Sequence, residues 1–199
     1  MAVNAEGYFN ALFNYLNQKN YGVKSVNSEQ ITLKEKIFFS SSERIQKVIL
    51  KADGDVIAIK LDFKKQKGKS QSLFDFLDNT GKPWSKRCDF VIFHRLKSKL
   101  FVYCIEFKSD KIPGDAIDQL TATTAWVQSL HSIIKAYTNK KIQLNVKKFV
   151  FSTSPNPTPH LEPSGKYLSR DHSIRHYLYS EVNGLKLNDL ENSNIEIIR

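Results

Sequence analysis

The chain has 199 residues, 41% of them hydrophobic, and carries 30 Lys and Arg against 20 Asp and Glu, a formal charge of +10. This length suits one domain with a substantial core. The longest apolar run, Leu100 to Ile105, is far shorter than the roughly 20 residues that span a bilayer. The N-terminus has no apparent signal peptide, and the two cysteines form no disulfide framework or CxxC metal site. We therefore expect a cytoplasmic protein that does not enter a membrane.

The first 72 residues predict a helix, three strands and a basic loop. Residues 5–18 have the apolar spacing of an amphipathic helix. Residues 31–39 are expected to form a strand. The apolar-rich runs 45–52 and 55–63 are separated by Asp53-Gly54, a dipeptide that favours a hairpin turn. The sequence KKQKGKSQS at 64–72 indicates a flexible basic loop.

The middle of the chain predicts two paired strands and a long helix. Residues 86–108, KRCDFVIFHRLKSKLFVYCIEFK, contain two strand-like apolar runs joined by Lys97-Ser98. The loop SDKIPGD leads to a helix from an N-cap at Asp115 to about Tyr137. Residues 146–152 predict a strand after that helix. Beyond the Pro-rich run at 154–159, residues 173–179 and 195–198 predict further short elements.

Three charged residues interrupt the two paired strands, although an unpaired buried charge costs several kcal/mol. If Lys97-Ser98 forms a two-residue turn, Asp89 lies directly opposite Glu106. Facing residues share one side of the sheet, with Cβ atoms about 4.5–5.5 Å apart. Lys108 is two residues after Glu106 and points the same way. The two carboxylates and the amine should therefore converge, whereas a slip of one residue would separate them.

The same register divides the remaining residues of the two strands between faces. One face is predicted to form a core and carries Phe90, Ile92, Tyr103, Ile105 and Phe107. The charged face also carries Val91 and Cys104. Cys88 would point to the face opposite Cys104, so we expect no disulfide.

These residues resemble the PD-(D/E)XK superfamily of restriction-endonuclease-like phosphodiesterases. Asp89 and Glu106-Phe107-Lys108 match the family motif, and Cys88 stands where the family name places proline. The resemblance implies an α/β fold with an αβββαβ core, a central mixed sheet flanked by helices, extra N-terminal strands and a C-terminal extension. Residues 1–153 would form the nuclease core. Residues 154–199 would form a Pro-rich loop and an extension packed on the core or on a partner subunit.

The resemblance also implies roles for the motif residues. Asp89 and Glu106, with the backbone carbonyl of Phe107, would hold Mg²⁺ or Mn²⁺. Lys108 would orient or deprotonate the attacking water and offset charge in the transition state. Gln119 corresponds to a glutamine that borders the site in some relatives. The alternative is an ordinary cross-strand ion pair on a solvated sheet face.

Many members of this superfamily recruit a further Glu from the first helix. Glu6 is the candidate for that position, and Glu43 is a second possibility. Either residue can instead be a simple helix-end or loop charge.

The positive charge is concentrated in the part of the chain that carries the motif. Residues 1–153 contain 25 basic and 14 acidic residues, whereas residues 154–199 contain five and six. A basic surface attracts phosphate backbones through counterion release, without reading sequence. The predicted nucleic-acid-binding residues are Lys64, Lys65, Lys67, Lys69, Lys82, Lys86 and Arg87.

These patterns predict a metal-dependent endonuclease that hydrolyses phosphodiester bonds in nucleic acid. DNA is the expected polymer, although no residue distinguishes DNA from RNA. One alternative is a catalytically silent nucleic-acid-binding module with the same fold. Another is an interaction subunit whose basic surface meets an acidic partner protein. A homodimer or a partner subunit fits the family, because many relatives cut duplexes as dimers.

Overall fold

A computed structural model describes residues 5–21, 24–26, 29–39, 42–62, 73–74, 76–78, 80, 82–109, 112, 114–139, 142–153 and 158–199. Its helices are α1 (Ala5–Tyr15), α2 (Gln18–Tyr21), α3 (Asp115–Thr138) and α4 (Tyr179–Val182). Its strands are β1 (Lys24–Val26), β2 (Gln30–Phe39), β3 (Ser42–Lys51), β4 (Asp55–Lys60), β5 (Phe90–Leu96), β6 (Lys99–Lys108), β7 (Leu144–Ser152), β8 (Tyr167–Leu168), β9 (Asp171–Leu178) and β10 (Glu196–Ile198). Within these residues no helix is both long enough and apolar enough to cross a membrane.

The central sheet is mixed and has eight strands within the described part of the chain. Its order is β1-β4-β5-β6-β7-β9-β8, with β10 paired to β7 as well. β4, β5 and β6 form an antiparallel meander. β7 runs parallel to β6 after the crossover through α3, and β9 runs parallel to β7. The predicted α/β class, with a mixed sheet flanked by helices, is confirmed.

Both faces of this sheet are buried, although the sequence predicted only one core face. α1 and α3 cover the first face, whose core includes Tyr8, Leu12, Val91, Cys104, Leu120 and Val127. The β2–β3 hairpin and residues 179–190 cover the second, whose core includes Leu33, Leu50, Phe90, Ile92, Tyr103 and Phe107. Strands buried on both sides contain nearly continuous apolar runs, which explains the composition of β5 and β6.

Cys88 and Cys104 are both free and both belong to the core beneath α1 and α3. The prediction that they point to opposite faces was wrong. Cys88 lies two residues before the start of β5, so the strict alternation of a strand does not apply to it. Its backbone N–H donates to Thr123 Oγ1 of α3 at 2.9 Å.

Asp53-Gly54 does not close a hairpin between β3 and β4, as its sequence suggested. β3 pairs along its whole length with β2 in a separate two-stranded sheet, while β4 pairs with β1 and β5. The dipeptide therefore carries the chain from one sheet to the other. Gly54 has φ +100°, and a Cβ there would lie 2.4 Å from the Arg95 carbonyl oxygen of β5.

We expect Gly54→Ala to lower the free energy of unfolding by at least about 2 kcal/mol, because the new methyl adds a backbone clash to an unfavourable φ. The midpoint of thermal unfolding should fall by several degrees, measured by circular dichroism. Gly165→Ala is the matched control, since Gly165 has φ +72° but no atom within 4 Å of an added Cβ. Equal losses in the two variants would contradict the close approach at Arg95.

The C-terminal residues complete the same sheet. The predicted elements at 173–179 and 195–198 are largely β9 and β10. Asn192 joins the segment to the sheet, because its Nδ2 donates to the carbonyls of Lys148 and Ser173 at 3.0 and 2.9 Å. The Pro-rich run was predicted to begin this extension, and its residues 154–157 lie outside the described part of the chain.

Among the described residues, three buried histidines, His94, His131 and His176, have a pKa lowered by burial and so make stability sensitive to acid. His131 is paired with the Tyr8 hydroxyl at 2.7 Å, and His176 with Ser152 Oγ at 2.9 Å. Burial lowers the pKa of each of these two from 6.5 to about 4. Between these values an unfolded chain binds more protons at these two positions than the folded one, so the contribution of the two histidines to stability falls as pH falls from about 6.5 to about 4.

We expect His131→Gln to flatten this acid limb in a plot of unfolding temperature against pH. His172→Gln is the control, because His172 is exposed on β9. If both variants keep the wild-type slope between pH 6.5 and 4, burial of His131 does not govern the acid limb.

Candidate active site

The predicted register of β5 and β6 is confirmed. Leu96 pairs with Lys99 across the Lys97-Ser98 turn, and Phe90 pairs with Ile105. Lys97 has φ +57°, in the left-handed region that a tight turn can require. Continuing the pairing by one step places Asp89, which precedes β5, beside Glu106.

Each carboxylate is hydrogen-bonded to the backbone beside the other. The Phe107 N–H donates to Asp89 Oδ2 at 2.7 Å, and the Asp89 N–H donates to Glu106 Oε2 at 3.1 Å. Asp89 and Glu106 are only 8% and 2% exposed. These reciprocal bonds hold two acids at one end of the β5–β6 pair.

Lys108 lies against this pair and links it to α3. Its Nζ is 2.8 Å from Glu106 Oε1 and 3.6 Å from Asp115 Oδ1. It also donates to Gln119 Oε1 at 2.7 Å. Gln119 Nε2 in turn donates to the Arg87 carbonyl at 3.2 Å. The structure thus brings together all four of the predicted catalytic residues.

Burial makes both acids costly to ionise, and the charge of Glu106 adds to the cost at Asp89. Burial, followed by the charges of Glu106 and Glu35, raises the pKa of Asp89 well above its ordinary value, although the Phe107 N–H and Lys108 oppose the shift. Burial also raises the pKa of Glu106 to about 7, although Lys108 opposes the shift. A buried, like-charged pair of this kind is stabilised by a cation placed between its members.

Lys108 keeps its charge, whereas the raised pKa values of the two acids favour their neutral forms. Burial by itself would lower the pKa of the amine, but the charge and hydrogen bond of Glu106, together with Asp115, raise it above its ordinary value. Lys108 is therefore an ammonium ion at neutral pH. It can donate hydrogen bonds and offset negative charge, but in this state it cannot accept a proton.

Phe107 and Tyr179 support the end of β6 from the other face. The Phe107 ring lies 5.3 Å from that of Phe90 and 5.1 Å from that of Tyr179, centroid to centroid. The Tyr179 hydroxyl donates to the Lys108 carbonyl at 2.9 Å. Packing and hydrogen bonding therefore fix the backbone on which Glu106 and Lys108 stand.

A cleft of about 570 Å³ opens above these residues. β2 forms one wall of the cleft, and Lys60 and Asp62 border it at the end of β4. Its lining residues include Glu35, Lys36, Phe38, Lys60, Asp62, Asp89, Glu106, Phe107, Lys108 and Gln119. Lys60 Nζ lies 2.7 Å from Glu35 Oε2, so one cleft holds two ion pairs.

Glu35 was missed by the sequence analysis, although a signal was present. Ile31, Leu33 and Ile37 alternate on the buried face of β2, and Glu35 occupies the same phase. A charge in an apolar alternation is the criterion that singled out Glu106. Its application to β2 predicts a third acid near the site.

The two acids proposed as the additional carboxylate do not border the cleft. Glu6 is exposed in the first turn of α1. Glu43 is exposed on β3 and paired with Lys36 at 2.6 Å. Glu35 of β2 does line the cleft, and its charge raises the pKa of Asp89.

The predicted basic residues are only partly described. Lys64, Lys65, Lys67 and Lys69 lie outside the described residues. Lys82 is exposed before a 3₁₀ turn at Pro83–Ser85. Lys86 is paired with Asp118 at 2.7 Å, and Arg87 is half-buried. Lys36 of the β2–β3 hairpin is an exposed lysine that lines the cleft, and it was not among the predicted basic residues.

The donor set fits a hard divalent cation held together with a substrate. Among the described residues, no group of three or more His, Cys, Asp or Glu side chains is arranged to hold a metal ion. Mg²⁺, however, is commonly bound through one or two carboxylates, with waters and substrate phosphates completing its shell. Asp89 and Glu106 supply such oxygens, and burial, the largest cause of their raised pKa values, makes a further cation beside them favourable.

No protein-family model, no curated protein and no solved structure matches this chain. Its function is therefore inferred from the geometry of the cleft and from the charges around it.

Proposed function

We propose that this protein is a metal-dependent nuclease that hydrolyses phosphodiester bonds in nucleic acid, with DNA as the expected polymer. The observation that carries the proposal is the convergence of Asp89, Glu106 and Lys108 in one cleft, tied together by bonds of 2.7–3.1 Å. The order of α1, the β4–β5–β6 meander, α3 and β7 supports a restriction-endonuclease-like αβββαβ core.

Each residue has a role that follows from its contacts. Asp89 and Glu106 would hold Mg²⁺ or Mn²⁺, with the Phe107 carbonyl beside them. The bound metal would polarise the phosphate and lower the pKa of a coordinated water. Lys108, which stays protonated, would orient that water and stabilise negative charge on the phosphate. Gln119 accepts a hydrogen bond from Lys108 and holds its amine towards the carboxylates.

A catalytically silent module that binds nucleic acid through its lysines is the second candidate. The observation that favours it is the absence of a three-ligand group among the described side chains. In that case Lys108 would neutralise Glu106 permanently, and the cleft would bind no metal.

A cleavage assay tests the nuclease. Single- and double-stranded DNA and RNA are incubated with Mg²⁺, Mn²⁺ or EDTA. We expect metal-dependent cleavage by the wild type that Asp89→Asn abolishes. Asp189→Asn, an exposed acid in the 3₁₀ turn Leu187–Asp189, should leave cleavage unchanged. Salt-sensitive binding without cleavage supports the silent module, and a lack of affinity for any nucleic acid supports an interaction subunit.

A further inference from the structure

The β2–β3 hairpin has one buried face and one exposed face. Its two strands form a sheet of their own, paired from Gln30↔Lys51 to Phe39↔Ser42, and Lys51 also makes an isolated bridge to Lys186. Residues that face each other across the pair share one side. The side that covers the central sheet includes Ile31, Leu33, Ile37, Val48 and Leu50. The other side, here called the ribbon face, consists of Gln30, Thr32, Lys34, Lys36, Phe38, Glu43, Ile45, Lys47, Ile49 and Lys51.

The ribbon face carries four lysines against one carboxylate. Lys34 and Lys47 stand directly opposite each other, an arrangement that is unfavourable for like charges. Among the described residues, neither ammonium is paired with a carboxylate. The single acid, Glu43, is bound to Lys36 in an exposed ion pair. Such pairs contribute little free energy, so a phosphate can replace Glu43 at small cost.

The ribbon face also exposes two large apolar side chains. Phe38 is 63% exposed and Ile45 is 73% exposed. Lys36 Nζ lies 5.9 Å from the centre of the Phe38 ring. Lys36 and Phe38 also line the cleft that holds Asp89 and Glu106. An exposed aromatic ring therefore stands where the lysine-rich face meets the carboxylates.

We infer that the ribbon face docks a single-stranded segment of nucleic acid and leads it into the cleft. Phosphates would lie against Lys34 and Lys47, and one unpaired base would stack on Phe38. Aromatic side chains flanked by cations bind single strands through the faces of their bases. A base inside a duplex has both faces covered, so Phe38 cannot stack on it. The inference rests on the proposed function for the identity of the polymer.

The test measures binding in EDTA, so that cleavage plays no part. Anisotropy of fluorescein-labelled 15-nucleotide single strands of DNA and RNA is compared with that of the matching duplexes. We expect Phe38→Ala to weaken single-strand binding about 5- to 100-fold. Its effect on duplex binding should stay below about twofold, because no stacking contact is lost there. Phe38→Trp retains a stacking surface and should restore the affinity.

Two control variants separate stacking and local charge from general effects. Tyr137→Ala removes an aromatic ring that is 84% exposed at the end of α3, away from the ribbon face. It should not change affinity. The double variant Lys34→Ala, Lys47→Ala should reduce the slope of log affinity against log salt by about one to one and a half for single strands. Lys99→Ala with Lys166→Ala removes the same charge elsewhere and should change the slope less.

The results of these binding and cleavage measurements test the docking inference separately from the nuclease proposal. Equal losses with Phe38→Ala and Tyr137→Ala, or equal effects of Phe38→Ala on duplex and single strand, would overturn the docking mode. Polyglutamate that competes as well as the oligonucleotide would instead indicate an acidic protein partner. If the wild type binds single strands through Phe38 but cleaves nothing, the docking inference stands and the nuclease proposal fails. If the wild type cleaves duplexes without binding single strands, the nuclease proposal stands and the docking inference fails.

Discussion

Lys108→Ala is expected to slow metal-dependent cleavage by about 10²- to 10³-fold, the usual effect of removing one donor that stabilises transition-state charge. The effect should fall on the chemical step, because the Lys108 ammonium lies inside the cleft with only 13% of its side chain exposed. Single-turnover cleavage rates measure this step directly. Affinity for the oligonucleotide in EDTA should change by less than about tenfold, since one phosphate contact at most is lost.

Lys99→Ala provides the matched control for Lys108→Ala. Both lysines belong to β6, but Lys99 is exposed at the opposite end of the strand, beside the Lys97-Ser98 turn. The control should cleave at the wild-type rate. A loss below tenfold in Lys108→Ala, or an equal loss in Lys99→Ala, would show that Lys108 only pairs with Glu106.

Asp89→Asn is expected to stabilise the metal-free protein at neutral pH while it abolishes cleavage. The Asp89 carboxyl group is buried beside Glu106, and its pKa is raised well above 3.8. At pH 7 the folded protein must therefore either keep a costly buried charge or take up a proton. Asparagine avoids both costs, and its Oδ1 can still accept the Phe107 N–H. We expect a gain of about 1–2 kcal/mol, seen as a rise of several degrees in the unfolding temperature.

The dependence of this gain on pH follows from the sign of the shift. A raised carboxyl pKa favours folding below the unfolded value near 4, and this contribution is lost as pH rises through the folded value. The advantage of Asp89→Asn should therefore be small at pH 4 and large at pH 8, as measured by calorimetry in EDTA. Adding Mg²⁺ should stabilise the wild type and not the variant.

Asp118→Asn is the control for charge removal. Asp118 forms an exposed ion pair with Lys86, so its loss should change stability by less than about 0.5 kcal/mol. An unfolding temperature for Asp89→Asn below that of the wild type in EDTA at pH 8 would mean that the carboxylates are not in conflict.

Much of the candidate site could be predicted from the sequence, because it depends on one local pairing. A two-residue turn at Lys97-Ser98 determines which residues face each other across β5 and β6, so Asp89, Glu106 and Lys108 follow by counting. The position of Gln119 near the site could be predicted from one further assumption, that the helix after β6 returns across the same face of the sheet. These relations involve neighbouring elements, for which register and side-chain alternation give reliable geometry.

Two features could not be predicted because they depend on how distant segments of the chain pair and pack: the partner of β3 and the position of Glu35. Asp53-Gly54 has the local preference of a hairpin, yet β3 pairs with β2 and β4 pairs with β5, and residues of all four strands pack in the second core. Glu35 was missed for a related reason. Nothing local indicates that the β2–β3 hairpin covers the sheet and brings its charge towards Asp89.

By itself the sequence determined the α/β pattern, the strand register and the polar residues that meet at one end of β5 and β6. These features depend on periodicity and on a short turn. Only the tertiary structure decided that both faces of the sheet are buried, that Glu35 and Lys60 border the same cleft, and that a lysine-rich ribbon with an exposed Phe38 stands at its entrance. Such features depend on which remote surfaces pack together, and the free energy of that packing is a property of the whole fold.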